Sequence, residues 1–244
     1  MTANDLWVCQ LGILEYREAL ALQERVRAAR QAGHIPDVLL ELEHPPVYTR
    51  GRRSDPTELP MGEAWYLAQG IDIVDTVRGG RVTYHGPGQL VGYPIMRIDD
   101  VIVYLRTMER AIVAALADAG VPARPRPDDG PDFTGVWAGE RKIASIGVHV
   151  ARGVTTHGFA INVQNDLQPF SWVVPCGLAG VQMTSVIKET GAGGERLPLA
   201  AVRASMARRF AEAFDRHATE IDADALDAAL GRTAAEPTVP SAGG

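Results

Sequence analysis

The stretch Gly135-Val136-Trp137-Ala138-Gly139-Glu140-Arg141-Lys142-Ile143-Ala144-Ser145-Ile146-Gly147-Val148-His149-Val150-Ala151-Arg152-Gly153-Val154-Thr155-Thr156-His157-Gly158-Phe159-Ala160-Ile161-Asn162-Val163 decides the fold. Three runs rich in Val, Ile and Thr are divided by Gly139-Glu140 and Arg152-Gly153. Short glycine-containing dividers let a chain reverse within a few residues, so the spacing predicts an antiparallel meander over 135–138, 142–150 and 154–163. Working outward, residues 90–98 predict a strand. Residues 101–119 predict a helix, with Tyr104, Leu105, Met108, Ile112, Ala115, Leu116 and Ala119 on one stripe and Gly120 as its stop.

Toward the N-terminus the pattern predicts a strand at 6–11, a helix at 14–31 and a strand at 37–42. His44-Pro45-Pro46 must end that strand, because neither proline can donate to a ladder. A loop or short strand at 47–53, a short helix at 63–69 and a strand at 71–77 follow. Toward the C-terminus, helices are predicted at 184–189, 200–217 and 222–230, the last with Asp222 as a cap. Residues 231–244 are rich in Ala, Pro, Thr and Gly without an apolar pattern and are read as a disordered tail. Strands interleaved with helices make this an α/β protein.

Charge and composition bound the function. With 24 Lys and Arg against 30 Asp and Glu, the chain of 244 residues carries a net charge of −6, which argues against general nucleic-acid binding. No apolar run reaches the ~18–20 residues of a membrane span, and the N-terminus lacks a basic segment followed by an apolar one. Two cysteines, Cys9 and Cys176, cannot build a disulfide framework or a cysteine-rich zinc site. A cytoplasmic protein with reduced thiols is expected. Only Lys142 and Lys188 among the basic residues are lysine; the rest are arginine. A GC-rich genome accounts for most of that bias, yet a retained lysine also points mildly to chemistry arginine cannot do, since arginine does not release its proton.

Cys9 lies in an apolar run and reads as a small buried hydrophobe. Cys176 sits between Pro175 and Gly177, where a turn fixes the backbone and opens access, as reactive thiols require. By itself, a cysteine in a turn is more often inert. Lys142 opens a strand, which suits either a surface charge or an amine at a pocket mouth that stabilises a thiolate. Arg78-Gly79-Gly80-Arg81-Val82-Thr83-Tyr84-His85-Gly86-Pro87-Gly88-Gln89 matches neither the dinucleotide fingerprint nor the P-loop. Its glycines suit a tight bend or a close approach of backbone to a ligand. His85, His149 and His157 lack acidic or cysteine partners at ligand spacing, so no metal site is expected.

Together these stretches resemble the lipoate-biosynthesis octanoyltransferases. The resemblance rests on Glu43-His44-Pro45-Pro46-Val47-Tyr48-Thr49, on 78–89, on 139–149, on 156–162, and on Pro175-Cys176-Gly177 with Thr184-Ser185-Val186. It implies a single catalytic domain over 1–230 with the fold of biotin and lipoate protein ligases, a mixed β-sheet flanked by helices. It implies an octanoyl group passed from acyl carrier protein to a lysine of lipoyl domains, those of 2-oxoacid dehydrogenases or the glycine-cleavage H protein. Cys176 would carry the group as a thioester, and Lys142 would lower the thiol pKa and move protons. The implied acyl site runs along Arg78, Gly79, Gly80, Arg81, Val82, Thr83, Tyr84 and His85. The resemblance also places Ser145, Ile146, Gly147, Gly158, Phe159 and Ala160 in that site.

Elementary chemistry agrees with that scheme. A cysteine thioester keeps the energy of a thioester donor, and two steps let two large carriers use one site in turn. The donor is already activated, so no nucleotide, metal or other cofactor is required. Backbone N–H groups of Cys176-Gly177 or Gly79-Gly80 are candidate oxyanion donors. Ile143, Ile146 and Phe159 are candidate walls for the alkyl chain. Arg50, Arg52, Arg53 and Arg141 are candidates for steering an acidic carrier. Three other readings remain: an ATP-dependent lipoate or biotin ligase, which has no use for a nucleophilic cysteine; a non-catalytic acyl- or carrier-binding protein; and a papain-like hydrolase, which needs His149 or His157 beside Cys176.

Overall fold

A computed structural model describes residues 4–173, 180–191 and 199–234. The meander forms as its turns require: β8 (Gly135–Ala138), β9 (Arg141–Ala151) and β10 (Val154–Asn162) pair antiparallel in sequence. Gly139 and Gly153 take positive φ in the two turns. Strand β6 (Gln89–Ile95) continues the sheet beside β10, and β2 (Asp37–Glu43) lies beside β6, both antiparallel. β1 (Asp5–Ile13) then adds parallel to β2. With β7 (Arg124–Pro125) at the far edge, and β11 (His217–Ile221) beyond β1, the sheet has eight strands in the order β11-β1-β2-β6-β10-β9-β8-β7.

Helices cover both faces. α1 (Tyr16–Gln31) and α6 (Ala223–Ala234) press Ala19, Val26, Leu226 and Leu230 against Val38, Leu40, Leu42 and Val91. On the other face, α3 (Val101–Asp118) and α5 (Leu199–Ala213) bring Met108, Ile112, Met206 and Phe210 onto Leu39, Leu90 and Ile161. The period of two along β2 explains the split, because alternate side chains leave a strand on opposite faces. Asp100 caps α3 by accepting the N–H groups of Ile102 and Val103 at 2.7 and 3.0 Å.

The break at His44-Pro45-Pro46 sends the chain into a second sheet of three strands. β3 (Val47–Arg50) lies between β4 (Asp72–Asp75), parallel, and β5 (Thr83–His85), antiparallel. α2 (Glu63–Ala68) leads into β4, and α4 (Val186–Thr190) precedes α5. The C-terminal part differs from the pattern reading, including the expected tail at 231–244, whose first four residues are helical. The helix expected to reach residue 217 ends at Ala213, because Asp215 turns left-handed at φ 51°. His217 instead opens β11, an exposed edge strand that periodicity did not single out. The last helix runs to Ala234 and is capped by Asp222, whose Oδ1 accepts the Ala225 N–H at 2.7 Å. Among the described residues, no helix is long and apolar enough to cross a membrane.

Candidate active site

A cavity of about 290 Å³ lies between the two sheets. Its roof is the segment 78–85, and its wall is the β9–β10 hairpin. The roof is held from three directions. The Arg78 guanidinium, 7% exposed, donates to the Thr49 carbonyl at 2.7 Å and to Thr49 Oγ1 at 2.6 Å. Its Nη1 also donates to the Gly79 carbonyl at 3.0 Å. Arg52 and Arg53 donate their N–H groups to the carbonyls of Arg78 and Gly80 at 3.0 and 3.1 Å. The Gly79 N–H donates to the Val148 carbonyl at 2.9 Å and ties the roof to β9. That approach needs glycine: a Cβ on Gly147 would lie 3.0 Å from the Gly79 carbonyl oxygen, and one on Gly51 would lie 2.5 Å from that of Gly80.

Along the roof, Arg78, Gly79, Gly80, Arg81, Val82, Thr83 and His85 line the cavity. Tyr84 does not. Strand alternation turns its ring away into an aromatic cluster, 5.5 Å from Tyr48 and 5.5 Å from Phe170 between centroids. On the wall, Ser145, Ile146 and Gly147 pair in register with Ala160, Phe159 and Gly158, and all six line the cavity. Ile143 points into the helix-covered core instead. Gly79 is unsuited as an oxyanion donor because its N–H is taken by Val148.

Lys142 lines the same cavity and is 2% exposed. Its N–H donates to the Gln182 carbonyl, and its own carbonyl accepts the Thr184 N–H, both at 2.9 Å. The start of β9 is thereby stitched to 182–184. Nζ stands 5.4 Å from the centre of the Trp137 ring, within cation–π range. Gly135 makes room for the lysine stem, since a Cβ there would lie 2.9 Å from Lys142 Cε. Cys176 lies outside the described residues. Cys9 is fully buried beneath α1 and α6, and burial, with Asp222 and Asp227 adding, pushes its thiol up to about 11. It is a packing residue, as its apolar run implied.

Tertiary structure adds lining residues with no signal in the sequence spacing. Tyr16 comes from the first turn of α1, Tyr93 from β6, Leu105 from α3, and Asp132 and Thr134 from the loop before β8. His157 also lines the cavity; burial, then Arg78, push its imidazole down to about 3, so it is neutral. Its backbone is left-handed at φ 59°, and its N–H donates to Gln23 Oε1 at 2.7 Å. His85 is held neutral by burial, with Nδ1 2.8 Å from Gln89 Oε1. His149 lies outside this cavity. Among the described residues no group of three His, Cys, Asp or Glu is placed to hold a metal.

The arginine cluster is divided by ion pairs. Arg50 binds Asp75 at 2.6 Å and Glu63 at 2.5 Å, Arg53 binds Asp132 at 2.9 Å, and Arg141 binds Glu189 at 2.8 Å. Arg52 is exposed and lines a second pocket, which shares Arg53, Gly79 and Val148 with the cavity.

The family described as lipoyl protein ligase A/B catalytic domain matches residues 15–211. The chain belongs to that family, and it is an acyltransferase. It is 47% identical over 210 residues to an octanoyltransferase of Solibacter usitatus, covering 84% of this chain and 91% of that one. To an octanoyltransferase of Geobacter metallireducens it is 44% identical over 209 residues, covering 84% and 92%. Its fold is that of a lipoate-protein ligase A crystallised with ATP, with TM-score 0.75 at 22% identity over 95% of this chain and 94% of that one. It is also that of a bipartite lipoate protein ligase from Thermoplasma acidophilum, with TM-score 0.72 at 21% identity over 94% and 91%.

Proposed function

We propose that the protein moves an octanoyl group from acyl carrier protein to a lysine of a lipoyl domain, through a thioester on Cys176. In the first step the Cys176 thiolate attacks the donor thioester carbonyl. The new C–S bond forms as the carrier thiolate leaves and takes up a proton. In the second step the neutral acceptor amine attacks the Cys176 thioester, an amide forms, and the Cys176 thiolate is released. Lys142 stabilises the thiolate as an ammonium and moves the proton between leaving thiol and attacking amine. The donor is activated in advance, so the scheme uses no ATP. The cavity between roof and hairpin holds the alkyl chain. The whole catalytic unit is one cytoplasmic domain; the boundary expected at residue 230 moves to Ala234, where α6 ends.

The observation that carries this reading is the placing of Lys142. One of two lysines in the chain lines the cavity, buried, and its backbone is bonded to 182–184, six to eight residues after Cys176. The names of the relatives at 44–47% identity support the acyl group and its transfer. Of the four candidate steering arginines, Arg52 fits best, because Arg50, Arg53 and Arg141 already hold acidic partners.

Intact-protein mass spectrometry after mixing with octanoyl-acyl carrier protein tests the scheme. The expected result is one octanoyl adduct that is absent in Cys176→Ala and is passed to an added lipoyl domain. Absence of an adduct, with transfer only when ATP and free octanoate are supplied, would make the chain a ligase. Release of free octanoate without amide would make it a hydrolase.

A further inference from the structure

Phe159 separates two environments. It lines the cavity and also belongs to the core beneath α3 and α5, where Phe210 stands 6.5 Å away between centroids. Its register partner on β6 is Gly92, which is not among the residues lining the cavity. A Cβ built on Gly92 would fall 2.1 Å from Phe159 Cζ and 2.5 and 2.6 Å from its two Cε atoms. The tip of the ring therefore occupies the space a side chain at 92 would take.

The two strands are paired and closely apposed there. A Cβ on Gly158 would already lie 2.2 Å from the Gly92 carbonyl oxygen and 2.5 Å from Pro94 Cδ, so β10 is pressed onto β6 at this point. Any side chain at 92 must move the ring instead. Ordinary carbon contact is about 3.5–4.0 Å, so the ring tip would shift by about 1.5 Å or more. The core side is filled by fully buried Leu90, Met206 and Phe210 and resists an advancing ring. The cavity side has room.

We infer that Gly92 is a positioning residue for acyl-chain length, acting by letting the Phe159 ring lie against β6 and so keeping the cavity deep enough for the chain. The inference rests on the reading of this cavity as the acyl site. A side chain at 92 shortens the slot from behind its wall. Losing room for one methylene lowers the preference for the longer chain by about fourfold.

The test uses the full chain with acyl carrier protein loaded with hexanoyl, octanoyl or decanoyl groups and a lipoyl domain as acceptor. The variants are Gly92→Ala, Phe159→Leu, the double variant, and Leu105→Phe, which fills the cavity from α3. Circular dichroism and thermal melts establish folding. Gly92→Ala is expected to lower the octanoyl-to-hexanoyl ratio of kcat/KM about fourfold. The double variant is expected to return the ratio to near the wild-type value, and Phe159→Leu to favour decanoyl. An unchanged ratio in folded Gly92→Ala overturns the inference. Where Gly92→Ala does not fold, Phe159→Leu decides: no gain for decanoyl overturns it. A ratio moved by Leu105→Phe but not by Gly92→Ala removes only the role of Gly92. A ratio moved by none of the variants removes the acyl-site reading as well.

Discussion

The carbonyl of Lys142 accepts the N–H of Thr184 at 2.9 Å. The middle strand of the meander is thus joined to the segment that follows Cys176, and Lys142 and Met183 form an isolated parallel bridge. The backbone of Lys142 is fixed at the cavity by these bonds, and its side chain is placed by Gly135 beside Cε and the Trp137 ring under Nζ. Preorganisation of this kind removes the cost of orienting a catalytic group at the moment of reaction.

Lys142→Arg keeps the charge and removes the ability to give up a proton. Lipoyl-domain octanoylation by this variant is expected to fall by about 100-fold or more, at an unchanged melting temperature within a few degrees. Mass spectrometry of the acceptor reads the rate. Near-normal transfer would show that Lys142 acts only as a charge.

Gly135 lies at φ 136°, and a Cβ there would sit 2.4 Å from the Ala144 carbonyl oxygen as well as against Lys142 Cε. Gly135→Ala is expected to destabilise the fold by about 2 kcal/mol. It is also expected to cost about 100-fold in kcat, because a catalytic group is displaced. Thermal unfolding and steady-state rates measured on the same preparation separate the two. Loss of rate only in proportion to unfolded protein would remove the positioning role.

Arg78 holds the cavity roof through a planar fork that lysine cannot reproduce. Arg78→Lys is expected to lower stability by about 2 kcal/mol through the weakened bonds to Thr49. It should also raise the KM for the acyl donor more than it lowers kcat. Denaturant titration and donor saturation curves measure both. An unchanged KM would confine Arg78 to stability.

His44 and Glu41 set opposite pH limits. His44 Nδ1–H donates to the Leu14 carbonyl and Nε2 accepts the Tyr93 hydroxyl, both at 2.7 Å. Burial, partly offset by that carbonyl, pushes the imidazole down to about 4. The unfolded chain takes up this proton near pH 6.5, so stability falls as pH drops from about 6.5 to 4. His44→Gln should flatten this limb.

Glu41 on β2 is fully buried with neither carboxyl oxygen hydrogen-bonded, and burial pushes its pKa up to about 8, with Arg203 opposing. The folded state holds this proton longer than the unfolded one. Its contribution is therefore present below about pH 4.5 and lost as pH rises to about 8. Glu41→Gln should match the wild type at pH 4.5 and melt higher at pH 8.5. Parallel melting curves at both pH values would count against a buried neutral carboxyl.

Local signals made much of the architecture legible in the sequence. Glycine turns marked the meander, apolar stripes marked α1 and α3, and His44-Pro45-Pro46 marked the passage into the second sheet. The roof glycines and Lys142 stood out because their roles are written in residue type: only glycine allows the backbone approach at 147, and lysine is rare in this chain. β11 carried no such mark, because an exposed edge strand of five residues has no buried face to impose a pattern. It exists through parallel pairing with β1, more than two hundred residues away. The same physics governs the site. Period and turn chemistry fix which way a side chain leaves its own element, as Thr83 and His85 do on one side of β5 and Tyr84 on the other. Which elements face one another is set by burial across the whole sheet. Only the tertiary structure therefore brought Tyr16, Tyr93 and Leu105 to the cavity, and only it set the Phe159 ring against Gly92.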